Sequence, residues 1–401
     1  MQKVAVVNFK KIDNSALITY MAKCNISVIL INLDSNGNNF QNQVKNVSLN
    51  DNLSCLKDVK WVINIDSEKS EENYNLIYNV YNKILPYLSN NIIISATSNF
   101  FLDVVSKIPC NISCKFTVVS FFYYTNKIKL IECAYHNSLK DKGIEVLSSR
   151  FPNLIICNNI PGLILDRIFS FWLIISLIGA YKFSINVEEA DFIISNQYMG
   201  IPHGAFNLLD EIGLDNFISR IKYLVKHLPN DDYLCKLYDA IPTVILQMIS
   251  DGYIGSMSKI GGGFYRLYES HYGNSNQVID LHTGLYRKPC IINYEFRSIQ
   301  NLFDVQNKYG QFMCYIWSNT LIYVSSLIPK LSSNISVIDK AIKLAYNWKY
   351  GPFEIIDLLN HSIDNKLFDS VEYNNLPQIL SIRKRMYNDK RQCLSIDGTY
   401  L

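Results

Sequence analysis

Short apolar runs rich in valine and isoleucine recur through the first third of the chain: KVAVVNF, SVILINL, KWVINID, NIIISAT and KFTVVSFF. Runs of this length and composition are typical of strands buried on both faces of a parallel sheet. Between several of them the apolar positions take helical spacing, in NSALITYMAKC, SEENYNLIYNVYNKILPYL and FFLDVVSKI, with Pro86 placed where the second should stop. Such alternation predicts a doubly wound α/β domain. Its opening stretch, VAVVNFKKIDNSALITYMA followed by SVILIN, has the order of a nucleotide-binding βαβ unit, yet its turn contains no glycine. Beyond about residue 150 the pattern becomes long and helical. The most apolar stretch, IFSFWLIISLIGAY (168–181), is shorter than the roughly 20 residues of a membrane span. Asp166 and Arg167 stand directly before it, so it reads as a buried core helix.

Two stretches of the helical part repeat one another. GAFNLLDEIG (204–213), preceded by EADFIISNQYMGIPH, is echoed by GPFEIIDLLN (351–360), preceded by IDKAIKLAYNWKY. Each holds an acidic-capped helix, a turn with glycine and a second short helix carrying an aspartate. Their loops differ by one residue. A duplicated helical domain packing against its own copy, as a homodimer would, is the expected outcome.

Composition adds limits rather than chemistry. At 401 residues, 49% hydrophobic and 18% charged, the chain is a folded protein of more than one domain. A net charge of +3 points to neither nucleic acid nor a membrane surface. The ten cysteines have irregular spacing, and Cys110 and Cys114 (CNISC) lack a second pair or a nearby histidine. They read as thiols in a reducing compartment, with no metal site. The N-terminal MQKVAVV enters a strand directly and lacks a signal-peptide layout.

Six segments, in order, carry a resemblance: SATSNFFLDVV (95–105), KFTVVSFFYYTNKIKLIE (115–132), NNIPGLILDRI (158–168), MGIPHGAFNLLDEIGLD (199–215), MSKIGGGFYRL (257–267) and NWKYGPFEIIDLL (347–359). The chain resembles the L-3-hydroxyacyl-CoA dehydrogenase family of fatty-acid β-oxidation. The C-terminal RQCLSIDGTYL is similar to the segment that precedes the enoyl-CoA hydratase module of bifunctional bacterial members. The resemblance implies a Rossmann-like α/β domain followed by two all-α repeats of the 6-phosphogluconate-dehydrogenase-like kind. The expected boundaries are 1–150 for the α/β domain, 151–268 for the first helical domain, 269–300 for a linker and 301–401 for the second repeat.

The family passes hydride from a 3-hydroxyacyl-CoA to NAD while a histidine, oriented by a glutamate, takes the hydroxyl proton. Imidazole suits the task because its pKa lies near the operating pH. By the resemblance, Ser120, just before Phe121 and Phe122, stands where that histidine would be, and Glu132 keeps the glutamate. A serine hydroxyl without an activating neighbour is far too weak a base to replace imidazole. His136, four residues past Glu132, reads as a surface residue. Ser98 keeps a family serine that orients the substrate carbonyl, whereas the asparagine before it has become Ala96. Asp166 takes the place of a family asparagine; an ionised carboxylate cannot donate to an oxyanion, and local pairing with Arg167 is the competing reading.

The glycine positions of the nucleotide fingerprint correspond to Asn8, Lys10 and Asp13, and the ribose-binding acid to Asn32. Asp34 lies two residues beyond that position, and the acid after the next strand falls at Asn64. Side chains at the glycine positions should crowd the pyrophosphate, and Asp13 sets a negative group at the helix N-terminus that would bind it. Asp13 or Asn14 also suits an N-cap, and Lys10 with Lys11 could hold phosphates by charge. The polar stretch NNFQNQVKNVSLNDNLSCL leaves no room for the helical hairpin with which the family helps hold CoA. GGG at 261–263 lacks the lysine of a phosphate loop and reads as a turn before FYRL, while Trp348 and Tyr350 read as core.

The expectation is therefore a cytoplasmic, 3-hydroxyacyl-CoA dehydrogenase-like pseudoenzyme, with NAD its cofactor by resemblance alone. Its partners would be an acyl-CoA, or an enoyl-CoA hydratase or thiolase subunit, and neither nucleic acid nor membrane. The rival readings are an active enzyme with a rebuilt site and a cofactor-free acyl-CoA binder.

Overall fold

The computed structural model describes residues 3–8, 15–32, 47–49, 52–65, 82–88, 93–96, 115–124, 127–135, 151–270, 273–292, 294–362, 366–368 and 376–401. The chain forms two compact units, Met1–Leu163 and Ile164–Leu401.

The first unit is built on one sheet of eight strands: β1 (Lys3–Asn8), β2 (Ser27–Asn32), β3 (Val47–Leu49), β4 (Trp61–Ile65), β5 (Ile93–Ala96), β6 (Lys115–Tyr124), β7 (Lys127–Tyr135) and β8 (Leu154–Asn158). They lie in the order β3-β2-β1-β4-β5-β6-β7-β8, and each neighbouring pair is parallel except β6 and β7, which form an antiparallel hairpin. The order reverses between β1 and β4, which is the switch point of a doubly wound fold. Helix α1 (Ser15–Lys23) lays Leu17, Ile18 and Met21 on one sheet face, where Val4, Val28 and Trp61 meet them. It ends where Asn25 takes a left-handed conformation (φ 56°), which an asparagine tolerates.

A hydroxyl chain crosses that buried face. Trp61 Nε1 donates to Ser95 Oγ at 2.6 Å, and the hydroxyls of Ser95 and Thr117 lie 2.5 Å apart. Burial pushes the Cys133 thiol up to about 12, against a hydrogen bond with Thr117. Polar side chains survive in this core because each meets another one strand along.

Three features differ from the sequence expectation. The polar stretch after β2 contributes β3 and a 3-10 helix, Leu53–Asp58, capped by Asn52. Strand β7 went unread because KIKLIECAY mixes charge with apolar residues, although its inner positions are buried. Strand β8 completes the sheet, so the first unit runs to Leu163 rather than 150. Of the helix read over 70–88, residues 70–81 lie outside the described residues, as does the whole of 100–108; residues 82–84 are helical, and Pro86 sits in a short 3-10 turn, Leu85–Tyr87.

In the second unit, α2 (Leu165–Lys182) is the apolar helix of the sequence reading, buried along nearly its whole length. No helix among the described residues is long and apolar enough to cross a membrane. After α2 come α3 (Val187–Ile194), α4 (Ala205–Ile212), α5 (Leu214–His227), α6 (Tyr233–Asp239) and α7 (Thr243–Ser250). A three-stranded antiparallel sheet follows, ordered β11-β10-β9, from β9 (Tyr265–Ser270), β10 (Gly273–Ile279) and β11 (Tyr286–Arg287). The chain then runs through α8 (Ile299–Leu302), α9 (Lys308–Ser326), α10 (Ile335–Tyr346), α11 (Pro352–Ser362) and α12 (Gln378–Ser381).

The repeat is real in atoms as well as in letters. Asp191 on α3 accepts the backbone N–H groups of Phe206 and Asn207 at the start of α4, at 2.8 and 2.9 Å, and the Tyr265 hydroxyl at 2.8 Å. Asp210 on α4 accepts the N–H groups of Phe264 and Tyr265. In the second copy Asp339 does the same for Phe353, Glu354 and the Tyr387 hydroxyl, at 2.9, 3.2 and 2.7 Å. Asp357 accepts from Met386 and Tyr387, at 2.7 and 2.9 Å. Asp191 and Asp339 thus satisfy donors that a helix start leaves open, and Asp210 and Asp357 satisfy those of non-helical segments further along. The glycines that open both motifs are required: a Cβ would fall 2.2 Å from Asp191 Cγ at Gly204, and 2.3 Å from Asp339 Cβ at Gly351. GGG at 261–263 brings the chain against Asp210 and then enters β9.

The copies pack on each other. Helices α2 and α9 stack Phe171 on Tyr323 with ring centres 3.9 Å apart, and Trp348 lies edge-on to both Trp172 and Trp317. Lys349 N–H donates to Gly200 C=O at 2.9 Å, joining the two copies' turns.

The stretch expected as a linker, 269–300, is instead built into the unit. Arg287 makes a two-pronged bond to Glu188 at 2.7 and 3.1 Å, and Cys290 N–H donates to the same carboxylate at 2.8 Å. Burial alone would raise the Glu188 carboxyl, but the Arg287 and Cys290 bonds outweigh it and hold it at about 2. Because its value is depressed, Glu188 stabilises the fold above the ordinary glutamate range, and that support is lost as the pH falls towards 2. Glu188→Gln should cost about 1.5–3 kcal/mol, as loss of a charge-assisted bond does. Limited proteolysis should then cut first between 280 and 298, and equal resistance in the variant would refute the anchoring role.

Candidate functional site

The antiparallel register of β6 and β7 sets Ser120 directly opposite Glu132. Opposed residues of a ladder share one face of the sheet, so the position of the expected base and its carboxylate are neighbours. Glu132 is 1% exposed, whereas Ser120 is half-buried. On the next strand, Glu132 pairs with Ile155 and Ala134 with Cys157. The Cys157 thiol is raised well above its ordinary value, by burial first and then by Glu132 and Cys133. That thiol is therefore held protonated and is no nucleophile. The pair offers a buried carboxylate behind a hydroxyl. By residue type it lacks the imidazole that serves as the family's base.

Asn8 and Asn32 close the carboxyl ends of β1 and β2 and pair with one another in register, and Asn8 also pairs with Ile65 of β4. Asn8 therefore borders the switch point, where ligands of open α/β sheets bind, and Asn32 lies one strand away from it. Ala96 ends β5, opposite Asn64 and Val118. Lys10, Asp13, Ser98 and His136 lie outside the described residues.

Asp166 belongs to the second unit, in the first turn of α2, where an acid favours the helix N-terminus. It pairs with Arg220 of α5 at 3.2 Å. The expected local partner, Arg167, faces elsewhere, to Asp232 and Tyr323, because adjacent helical residues point in different directions.

Sequence reasoning passed over several groups. Cys157 and the chain through Ser95 and Thr117 carry no motif, since their closeness comes from strand order. The four aspartates of the repeat were in plain view, and their shared place in GAFNLLDEIG and GPFEIIDLLN was the available signal. Among the described residues no cluster of histidine, cysteine or acid could hold a metal, and the eight described cysteines are free thiols.

No family model matches the chain. Over an aligned length of 435 residues, 98% of this chain is 29% identical to a Rickettsia prowazekii protein named as a fatty acid oxidation complex trifunctional enzyme. A Bacillus subtilis protein named as a 3-hydroxyacyl-CoA dehydrogenase is 23% identical over 78% of the chain. The chain spans 59% and 40% of these relatives' lengths. Among solved structures, 3-hydroxybutyryl-CoA dehydrogenase from Escherichia coli superposes with a TM-score of 0.61. The match covers 92% of this chain and 97% of that one at 13% identity, a likeness of fold.

Proposed function

From the premise that this chain is a divergent relative of the L-3-hydroxyacyl-CoA dehydrogenase family, we propose that it keeps the family's frame without its NAD-dependent chemistry. In this reading it serves fatty-acid β-oxidation as a cytoplasmic scaffold or partner subunit, beside an enoyl-CoA hydratase or thiolase. The observation that carries the reading is the pairing of Ser120 with Glu132. Register sets Ser120 beside Glu132 across the hairpin, and a serine hydroxyl without an activating neighbour is too weak a base to take a proton from a substrate hydroxyl at neutral pH.

The residues at the switch point do not fit NAD as the family holds it. By the resemblance, Asn8 stands at a fingerprint position that the family fills with glycine, and Asn32 at the position of its ribose-binding acid. At Asp166 a carboxylate already committed to Arg220 stands where an amide donor is needed. The helical repeats, by contrast, each hold two aspartate clasps.

Calorimetric titration of the folded chain with NADH, alone and with acetoacetyl-CoA, tests the proposal. No heat at millimolar NADH and no oxidation of NADH are expected, together with co-purification of a hydratase or thiolase subunit. Micromolar NADH binding with turnover would overturn it in favour of a rebuilt site using Ser98, Glu132 and Lys10 or Lys11. Acetoacetyl-CoA binding without NADH binding would replace the scaffold with an acyl-CoA binder.

A further inference from the structure

The two copies of the helical repeat lead into equivalent segments of different charge. In the first copy, Phe264 and Tyr265 give their N–H groups to Asp210, and the Tyr265 hydroxyl donates to Asp191. In the second, Met386 and Tyr387 give theirs to Asp357, and the Tyr387 hydroxyl donates to Asp339. These bonds align GGGFYRLYE (261–269) with RKRMYNDKR (383–391). The first stretch holds one arginine and one glutamate, the second five cations and one aspartate. The clasp forms in the first copy without a cationic run, so the charges of the second are not what the fold requires.

The cationic stretch is tied into a hydrogen-bonded knot. Leu394 N–H donates to Met386 C=O at 2.8 Å, and Cys393 and Leu401 exchange backbone bonds at 3.1 and 2.9 Å. The Tyr400 hydroxyl donates to Arg385 C=O at 2.8 Å, and Lys384 Nζ to Gly398 C=O at 2.9 Å. Asn388 shapes the turn between the two basic runs by accepting the N–H groups of Lys390 and Gln392. Arg385 meets Asp389 at 3.1 Å, which brings that turn beside the first run. Arg383, Lys384, Arg385, Lys390 and Arg391 are all exposed. The side chains of Arg383, Lys390 and Arg391 have no partner among the described residues. Neighbours within one run lie inside the screening length of about 8 Å at physiological salt, so their fields add.

We propose that this knot is a binding surface for a soluble anion carrying two or more phosphate groups. Three of the five cations are arginines, whose planar forks match pairs of phosphate oxygens. A lipid surface fits less well, because it is held through exposed apolar side chains as well as charge. Between 383 and 391 the apolar side chains are turned inward, Met386 buried and Tyr387 half-buried. The inference does not depend on the functional reading above.

Calorimetric titration of the full chain with inorganic triphosphate should show binding that weakens as salt rises from about 50 to about 200 mM. Citrate, which spreads its charge over separate carboxylates, should bind roughly tenfold more weakly. Arg383→Ala, Lys390→Ala and Arg391→Ala combined should weaken triphosphate binding roughly tenfold, the loss of three exposed charge contacts. The circular dichroism and urea midpoint of that variant should be unchanged, since these side chains hold nothing in the fold. Lys259→Ala, at an exposed cation of the first copy, should leave triphosphate binding as it is. No binding of triphosphate, equal binding by the triple variant, or equal binding of citrate would each overturn the proposal. So would sedimentation with phosphatidylglycerol vesicles that millimolar triphosphate fails to compete away.

Discussion

Asp232→Ala is expected to lower the unfolding free energy of the helical unit by about 3–5 kcal/mol, the cost of stranding a buried charge. Arg167 is 3% exposed and donates through Nε to the Tyr323 hydroxyl at 2.5 Å and through its terminal nitrogen to Asp232. The Tyr323 hydroxyl in turn donates to the other Asp232 oxygen at 3.0 Å. The three groups tie α2, α9 and the start of α6, and so hold the two repeats together. Removing the carboxylate takes from a buried guanidinium the counter-charge that Asp232 supplies. Tyr323→Phe removes only a hydroxyl and should cost about 1 kcal/mol. Replacing the ion pair with Arg167→Met and Asp232→Leu together should recover most of the loss, because apolar side chains of similar volume need no partner. Urea unfolding of the three variants measures this. A loss below about 0.5 kcal/mol for Asp232→Ala would sink the argument.

The second large effect concerns pH and runs opposite to the usual carboxylate behaviour. Burial pushes the Asp191 carboxyl up to about 7, against its bonds from Phe206, Tyr265 and Asn207. Burial likewise lifts Asp339 to about 7 and Asp210 to about 6. A group whose folded value exceeds its unfolded value binds more protons in the native state, so stability falls as the pH rises between the two values. Each fully shifted aspartate accounts for on the order of 4 kcal/mol between pH 4 and 7. The helical unit should therefore unfold at a higher urea concentration at pH 5.5 than at pH 8. The Glu188 contribution is constant across that window, since it is lost only at more acidic pH. Asp191→Asn and Asp339→Asn cannot ionise and should flatten the profile. A midpoint that rises from pH 5.5 to 8, or an unchanged slope in the double variant, would show that the clasps are ionised at little cost.

Much of this protein is determined locally, and that much was legible in its sequence. Val/Ile runs specify buried strands because only such residues fill both faces of a parallel sheet, so β1, β2, β4, β5 and β6 fall where the pattern put them. The apolar run at 168–181 specifies a core helix through its length and composition. The repeated Gly-x-Phe and aspartate spacing announced a duplication, because the clasp needs a glycine for close approach and an acid for the helix start. The substitution at Ser120 and the retained Glu132 were readable too, as residue types at positions the resemblance assigns.

What the tertiary structure decided is which groups meet. Strand β7 is too mixed in charge to declare itself and β8 lies beyond residue 150, where the pattern reads as helical, so pairing with strands already in the sheet decides both. The partners of Asp166 and Arg167 were misjudged because nearness in sequence is not nearness on a helix, and the true partners come from α5, α6 and α9. Polar composition suggested a linker at 269–300, yet charge-assisted bonds to Glu188 turn its end into a strap. That Ser120 faces Glu132 at all is a property of register, which pairs residues twelve apart through a hairpin and its bulge. Local energies select elements, and long-range pairing selects sites, because a contact between distant residues exists only once the chain between them has folded.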